Sequence, residues 1–189
     1  ITIVSPEIGG DDVVNSGNGN NVVLGGQGKD TVTTGTGNDT VAGDNATVTF
    51  INGIRSSIVV SDVYGNNDSI SLGAGDDQAL GGVGLDNVQA ASGRNIMLGD
   101  NGSILSDSTG LYDYARTGSV TIGGDDVISG GSDSDAIFGG VGGDVLSGGA
   151  GADYIMGDAG EFTRTGTTVQ FTSVDLFTGA SNVLIGGSG

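Results

Sequence analysis

The chain has 189 residues, with 40 glycines against one proline, no cysteine, no histidine and a formal net charge of -18. Twenty-three acidic against five basic residues (Lys29, Arg55, Arg94, Arg116, Arg164) argue against nucleic acid and against an anionic membrane as partner, because both would be repelled. Without thiolate or imidazole the metal chemistry left to the chain is oxygen-only, which suits a hard divalent cation such as calcium better than zinc, copper or iron.

Read from the start, ITIVSPE lacks the basic flank and apolar stretch of a signal peptide, so export, if it occurs, is encoded elsewhere. The longest apolar runs are a few residues, too short to span a bilayer. Beyond them a nine-residue phrase recurs, clearest at residues 25–33 (GGQGKDTVT), 139–147 (GGVGGDVLS) and 148–156 (GGAGADYIM). It occurs in three runs of four, at 7–42, 63–98 and 121–156, and a fourth run begins at 177 and breaks off inside GGSG. Equivalent glycines Gly9, Gly65, Gly123 and Gly179 set a long period of 56 to 58 residues. The chain therefore reads as one continuous array of super-repeats 7–62, 63–120 and 121–176 with a truncated 177–189, cut from something longer.

Inserts at 43–62, 99–120 and 157–176 open on GDN, GDN and GDA and continue through β-branched and aromatic residues that read as extra strands. No window carries an apolar stripe at helical spacing free of glycine, so the fold class is all-β with essentially no α-helix. Each phrase predicts a tight turn followed by a short strand. Its eighth position supplies the core: Val14, Val23, Val32 and Val41, then Ile70, Ala79, Val88 and Met97, then Ile128, Ile137, Leu146 and Ile155, and finally Leu184. Stacked in register, these form an aliphatic ladder in which no unit is stable alone.

The ninth position alternates between phrases. It is polar in odd units (Asn15, Thr33, Ser71, Gln89, Ser129, Ser147) and apolar in even ones (Leu24, Ala42, Leu80, Leu98, Phe138, Met156). Odd and even units are expected in opposite sheets, one with a wet outer face and one with an apolar face to be covered. The inserts, with Phe50, Ile51, Ile58, Val59, Tyr112, Tyr114, Phe162, Val169 and Phe171, are the favoured cover; they would otherwise lengthen the sheets. The alternative for that face is homotypic lateral association with another chain.

These phrases resemble the RTX or haemolysin-type calcium-binding repeats, with consensus GGxGxDxUx, and the resemblance covers all thirteen phrases while leaving the inserts outside. It implies a right-handed parallel β-roll whose turns alternate between two edges, with calcium held between turns two phrases apart. Carried over by position, the sixth residue supplies the side-chain ligands: Asp12, Asp30, Asp68, Asp86, Asp126 and Asp144 on one edge, Asp39, Asp77, Asp135 and Asp153 on the other. Asn21 and Asn95 depart from the pattern, as does Asn182; an amide offers an oxygen without charge, so weaker sites are expected there. Gly26, Gly28, Gly140, Gly142, Gly149 and Gly151 are expected at φ > 0, turning carbonyl oxygens inward to complete the shell. Asn66, Asp133 and Ala180 replace glycine in the fourth position. For Asp44, Asp100 and Asp158 in the insert openings, turn capping and ligation stay equally open, and Asp11, Asp76 and Asp125 in the fifth position are expected to be solvated.

Three rival functions compete with a plain calcium-binding role. Catalysis is disfavoured because the paired acids lie in repeated turns rather than across a cleft, and no nucleophile elbow is present. An ice-binding face fails because the Thr36 and Asn38 pair does not recur on successive turns. The favoured reading is a calcium-binding stiff spacer of a secreted or bacterial cell-surface protein that folds on meeting extracellular calcium. A self-associating filament or adhesin module, or a secretion and folding array attached to an exported enzyme, remains the alternative.

Overall fold

The computed structural model describes residues 8–61, 63–118, 121–174 and 180–187, so the opening ITIVSPE and the start of the fourth run lie outside the described residues. Among the described residues there is no helix, and the nineteen strands form three sheets. Odd phrases build a seven-stranded sheet of β1 (Val13–Gly17), β3 (Thr31–Thr34), β7 (Ser69–Ala74), β9 (Asn87–Ser92), β13 (Val127–Ser129), β15 (Val145–Ser147) and β19 (Val183–Ile185). Even phrases build a six-stranded one of β2 (Val22–Leu24), β4 (Thr40–Ala42), β8 (Gln78–Gly82), β10 (Ile96–Asp100), β14 (Ala136–Phe138) and β16 (Tyr154–Met156). Every pairing in these two sheets is parallel and joins phrases two apart, as in Val14↔Val32 and Met97↔Ile137. This is a parallel β-roll.

Eighth-position side chains meet between the two sheets, where Val32, Val41, Ala79, Val88, Met97, Ile137 and Leu146 are fully buried. Val14 and Ile155 pack on the margin of that core, whereas Leu184 on β19 is exposed. Strands β7 to β10 extend past three residues into the following turn, because the pairing continues there, as at Ala74↔Ser92 and Asp100↔Gly82.

The inserts form a separate antiparallel sheet, not extensions of the roll. Its strands are β5 (Ala46–Ile51), β6 (Ile54–Val60), β11 (Gly102–Ser106), β12 (Tyr112–Thr117), β17 (Gly160–Thr165) and β18 (Thr168–Ser173), one hairpin per insert. It lies over the even sheet, and Ala42, Leu80, Leu98 and Phe138 share a core with Val48, Ile58, Val60, Ile104, Ala115 and Phe162. Phe138 meets Phe171 with ring centroids 4.8 Å apart. The even face is thereby covered within the chain, and Ala42, Leu80, Leu98 and Phe138 take their partners from the insert sheet.

Within the cover, several expected residues face elsewhere. Phe50 and Ile51, at the hairpin tip past a register shift after Thr49, are 45% and 59% exposed. Val59 and Tyr114 point to the outer face, since side chains alternate along a strand. Small residues take the inner positions instead, notably Ala46 and Ala115.

Candidate metal centre

Two edges flank the roll where the turns stack, and the sixth-position side chains line them. The N–H of each such residue donates to Oδ1 of its counterpart two phrases on. On the first edge the chain of bonds runs Asp12 to Asp30, Asp30 to Asp68, Asp68 to Asp86, Asp86 to Asp126 and Asp126 to Asp144, at 2.7 to 2.9 Å. On the second it runs Asn21 to Asp39, Asp39 to Asp77, Asp77 to Asn95, Asn95 to Asp135 and Asp135 to Asp153, at 2.7 to 3.0 Å. Asp12 is exposed and Asp153 half-buried, while the carboxylates between them are buried.

One oxygen of each buried carboxylate is thus accounted for. The other is not: Oδ2 of Asp30, Asp39, Asp68, Asp77, Asp86, Asp126, Asp135 and Asp144 is buried without a donor. Moreover, these oxygens face further acceptors. A methyl group added at Gly25 would strike both Asp30 Oδ2 and the carbonyl of Gly43, and one at Gly81 both Asp86 Oδ2 and the carbonyl of Gly99. Gly130 has the same relation to Asp135 Oδ2 and Gly148 O, and Gly139 to Asp144 Oδ2 and Gly157 O. Glycine is therefore required at these points, and the space it leaves is bounded by oxygens with lone pairs only.

Such an arrangement opposes ionisation. Burial first, and then neighbouring charge, pushes the Asp68 carboxyl up to about 8 and that of Asp126 up to about 10. Burial likewise raises Asp77, Asp86 and Asp135 to about 7 and Asp144 to about 6. Buried acceptors without donors cost free energy unless a cation meets them. Among the described residues no three acidic side chains converge on one point, since the stacking separates the carboxylates by one rung. Any ion held here would be shared between carboxylates and backbone carbonyls, a mixed oxygen shell that suits calcium.

The glycine turns fit that role. Gly26, Gly28, Gly140, Gly142, Gly149 and Gly151 have φ of 112°, 141°, 112°, 131°, 90° and 125°. Asp133, in a fourth position, adopts φ 75° despite its side chain, whereas Asn66 does not have a positive φ. Neither do Gly10 and Gly124 in the same place. These belong to phrases that open a run, where the turn needs no positive φ, although at Gly124 a side chain would still strike the carbonyl of Gly84.

One feature escaped the sequence reading. The fifth-position side chains form a second ladder outside the first: the N–H of Lys29 donates to Asp11, that of Arg94 to Asp76 and that of Gly143 to Asp125. Asp76 also pairs with the Arg94 guanidinium at 2.7 Å. These acids are backbone caps rather than merely solvated groups. The insert-opening acids also cap: Asp100 accepts from the N–H of Gly124 at 3.0 Å and from that of Val141, and Asp44 accepts from that of Val83. Both are fully buried. Their recurrence after each run was the signal available; that each reaches a turn 24 or more residues away was not.

A parallel roll whose edges gather buried carboxylates and backbone carbonyls fits a calcium-binding repeat protein. The family model of the RTX calcium-binding nonapeptide repeat (4 copies) matches residues 8–41, 64–88, 71–103, 123–146 and 130–161. These segments cover more than half of the chain, which belongs to this family of structural calcium-binding repeats. No curated protein and no solved structure matches it.

Proposed function

We propose that this chain is a calcium-folded stiff spacer of a secreted or cell-surface protein. Asp12, Asp30, Asp68, Asp86, Asp126 and Asp144 would hold the ions on one edge, and Asp39, Asp77, Asp135 and Asp153 on the other. The carbonyls of Gly26, Gly28, Gly140, Gly142, Gly149 and Gly151 would complete the shells. The single observation that carries this reading is the row of buried Oδ2 atoms facing carbonyl oxygens with no donor between them.

When bound, calcium supplies the positive charge these oxygens lack. The residues do the rest: Oδ1 ties each turn to the next, positive-φ glycines aim the carbonyls, and the aliphatic ladder closes behind them. Without the ion, acids stacked at neighbouring rungs resist burial, and the glycine-rich chain loses too much conformational entropy on ordering for short strands to offset. Extracellular modules bind calcium at roughly 10⁻⁴ to 10⁻³ M, so a chain of this kind would stay unfolded at cytosolic calcium and fold outside. The spacer role is supported by the continuous core and by the insert sheet that covers the apolar face, which together make a stiff body.

Far-ultraviolet circular dichroism with calcium, magnesium or chelator tests the proposal. A strand signal that forms with calcium and is absent in magnesium or chelator is expected at neutral pH; an unchanged strand signal in chelator would refute it.

A further inference from the structure

Asn21 and Asn95 stand in the sixth position on the second edge, where the other phrases carry aspartate. Asn95 is fully buried, and its Oδ1 accepts the N–H of Asp77 at 3.0 Å, as an aspartate would. Its Nδ2 lies where an aspartate would place its bare Oδ2, and it donates to Gly93 O at 2.9 Å and to Gly130 O at 3.2 Å. The orientation of the amide is fixed by this network, because the opposite one would set oxygen against two carbonyls and nitrogen against a donor. Asn21 also turns its Nδ2 to carbonyls, donating to Gly17 O at 3.0 Å and Gly19 O at 2.8 Å, both within its own turn rather than across to the next rung.

At equivalent points the aspartate phrases place a carboxylate oxygen against carbonyl oxygens, which calls for a cation, or failing that a proton, between them. The asparagine phrases place an N–H₂ there, and the acceptors are satisfied by the chain itself. We infer that Asn21 and Asn95 are amide plugs that stand in for a calcium ion, so that their turns close without metal. This rests on the calcium reading above and reverses the expectation that these residues are weak ligands: at Asn95 the amide oxygen is already bonded to the backbone, and at both residues the group facing the carbonyls is a donor.

The two edges are then inequivalent. The first presents carboxylates from Asp12 to Asp144 and ends on Asn182, whereas the second carries asparagine at two of its six rungs. Arginine adds to the difference, since Arg94, next to Asn95 in sequence, pairs with Asp76 on that second edge. Calcium demand is concentrated on the first edge, and the second retains turns that form before the ion arrives and can seed the stack.

The test uses Asn95→Asp and Asn95→Ala in the full chain, with bound calcium counted by equilibrium dialysis and folding followed by circular dichroism. Asn95→Asp should bind a further ion per chain and need a higher calcium concentration to fold. Asn95→Ala removes the donor without adding a ligand, so it should bind the same number of ions as the parent while being less stable in saturating calcium. An unchanged count in Asn95→Asp, or an ion lost in Asn95→Ala, would overturn the plug. Absence of calcium binding by the parent itself would instead defeat the underlying calcium reading, and the two failures are distinct.

Discussion

Asp126→Asn should act with opposite sign in the presence and absence of calcium. Asp126 is 1% exposed, its Oδ1 accepts the N–H of Asp86 at 2.7 Å, and its Oδ2 has no donor. Burial, and then the charge of Asp100, pushes its carboxyl up to about 10 from an ordinary 3.8. In chelator at pH 7 the folded chain must therefore carry the neutral acid, whereas the unfolded chain ionises it. Protonating a group of ordinary acidity at pH 7 costs about 1.36 kcal/mol per pH unit, on the order of 4 kcal/mol here. An amide keeps the Oδ1 acceptor and needs no proton, so the calcium-free fold should gain up to about this amount. With calcium the sign reverses, because the amide removes a charged ligand; losing one site held at a hundred times its dissociation constant removes about 2.7 kcal/mol. Urea titrations followed by circular dichroism, in chelator and in millimolar calcium, read both terms, with a stabilising osmolyte in both series to keep the calcium-free chain measurable. Shifts of the same sign under both conditions would refute the reasoning.

The calcium-free fold should also depend on pH in a definite direction. The carboxyls of Asp68, Asp77, Asp86 and Asp135 are raised to about 8, 7, 7 and 7, so the folded state binds more protons than the unfolded one above the ordinary value of 3.8. Its stability is then greatest near pH 4 and falls as pH rises towards 8; a strand signal in chelator that grows with pH would contradict this. Phe138→Ala, at a fully buried side chain packed on Phe171, should cost about 3 to 5 kcal/mol in saturating calcium by urea denaturation. A loss below about 1 kcal/mol would mean that the insert sheet does not cover the roll. Gly142→Val places a side chain at φ 131° against the Gly124 carbonyl and should raise the calcium midpoint of folding severalfold. Gly53→Ala, at φ 79° in open space on a hairpin tip, should cost only about 1 kcal/mol and leave that midpoint unchanged.

Much of the molecule was legible from the nonapeptide register alone. Turn, strand and inward residue follow within nine positions, and glycine, aspartate and aliphatic side chains impose them locally. Hence the eighth-position ladder from Val23 to Leu146, the division of odd and even phrases between two sheets and the positive φ at Gly28 and Gly142 could all be read in advance. The inserts obey no such short period. Strand alternation in the hairpins, and the shift after Thr49 within the first of them, left Phe50 and Tyr114 outside and brought Ala46 and Ala115 in, while neighbouring hairpins pair across more than forty residues.

The edges divide in the same way. That acids line them is a matter of sequence, since stacking any two phrases in register aligns their sixth residues. What each oxygen meets was decided only when the turns were superposed: Oδ1 on the next backbone N–H, Oδ2 against carbonyls, Asp100 across to Gly124 and Val141, and the Asn95 amide turned so that its nitrogen faces Gly93 and Gly130. Hydrogen bonding depends on direction as well as on which groups are present. A one-dimensional repeat determines the neighbours, and the packed turns determine which way each polar atom points.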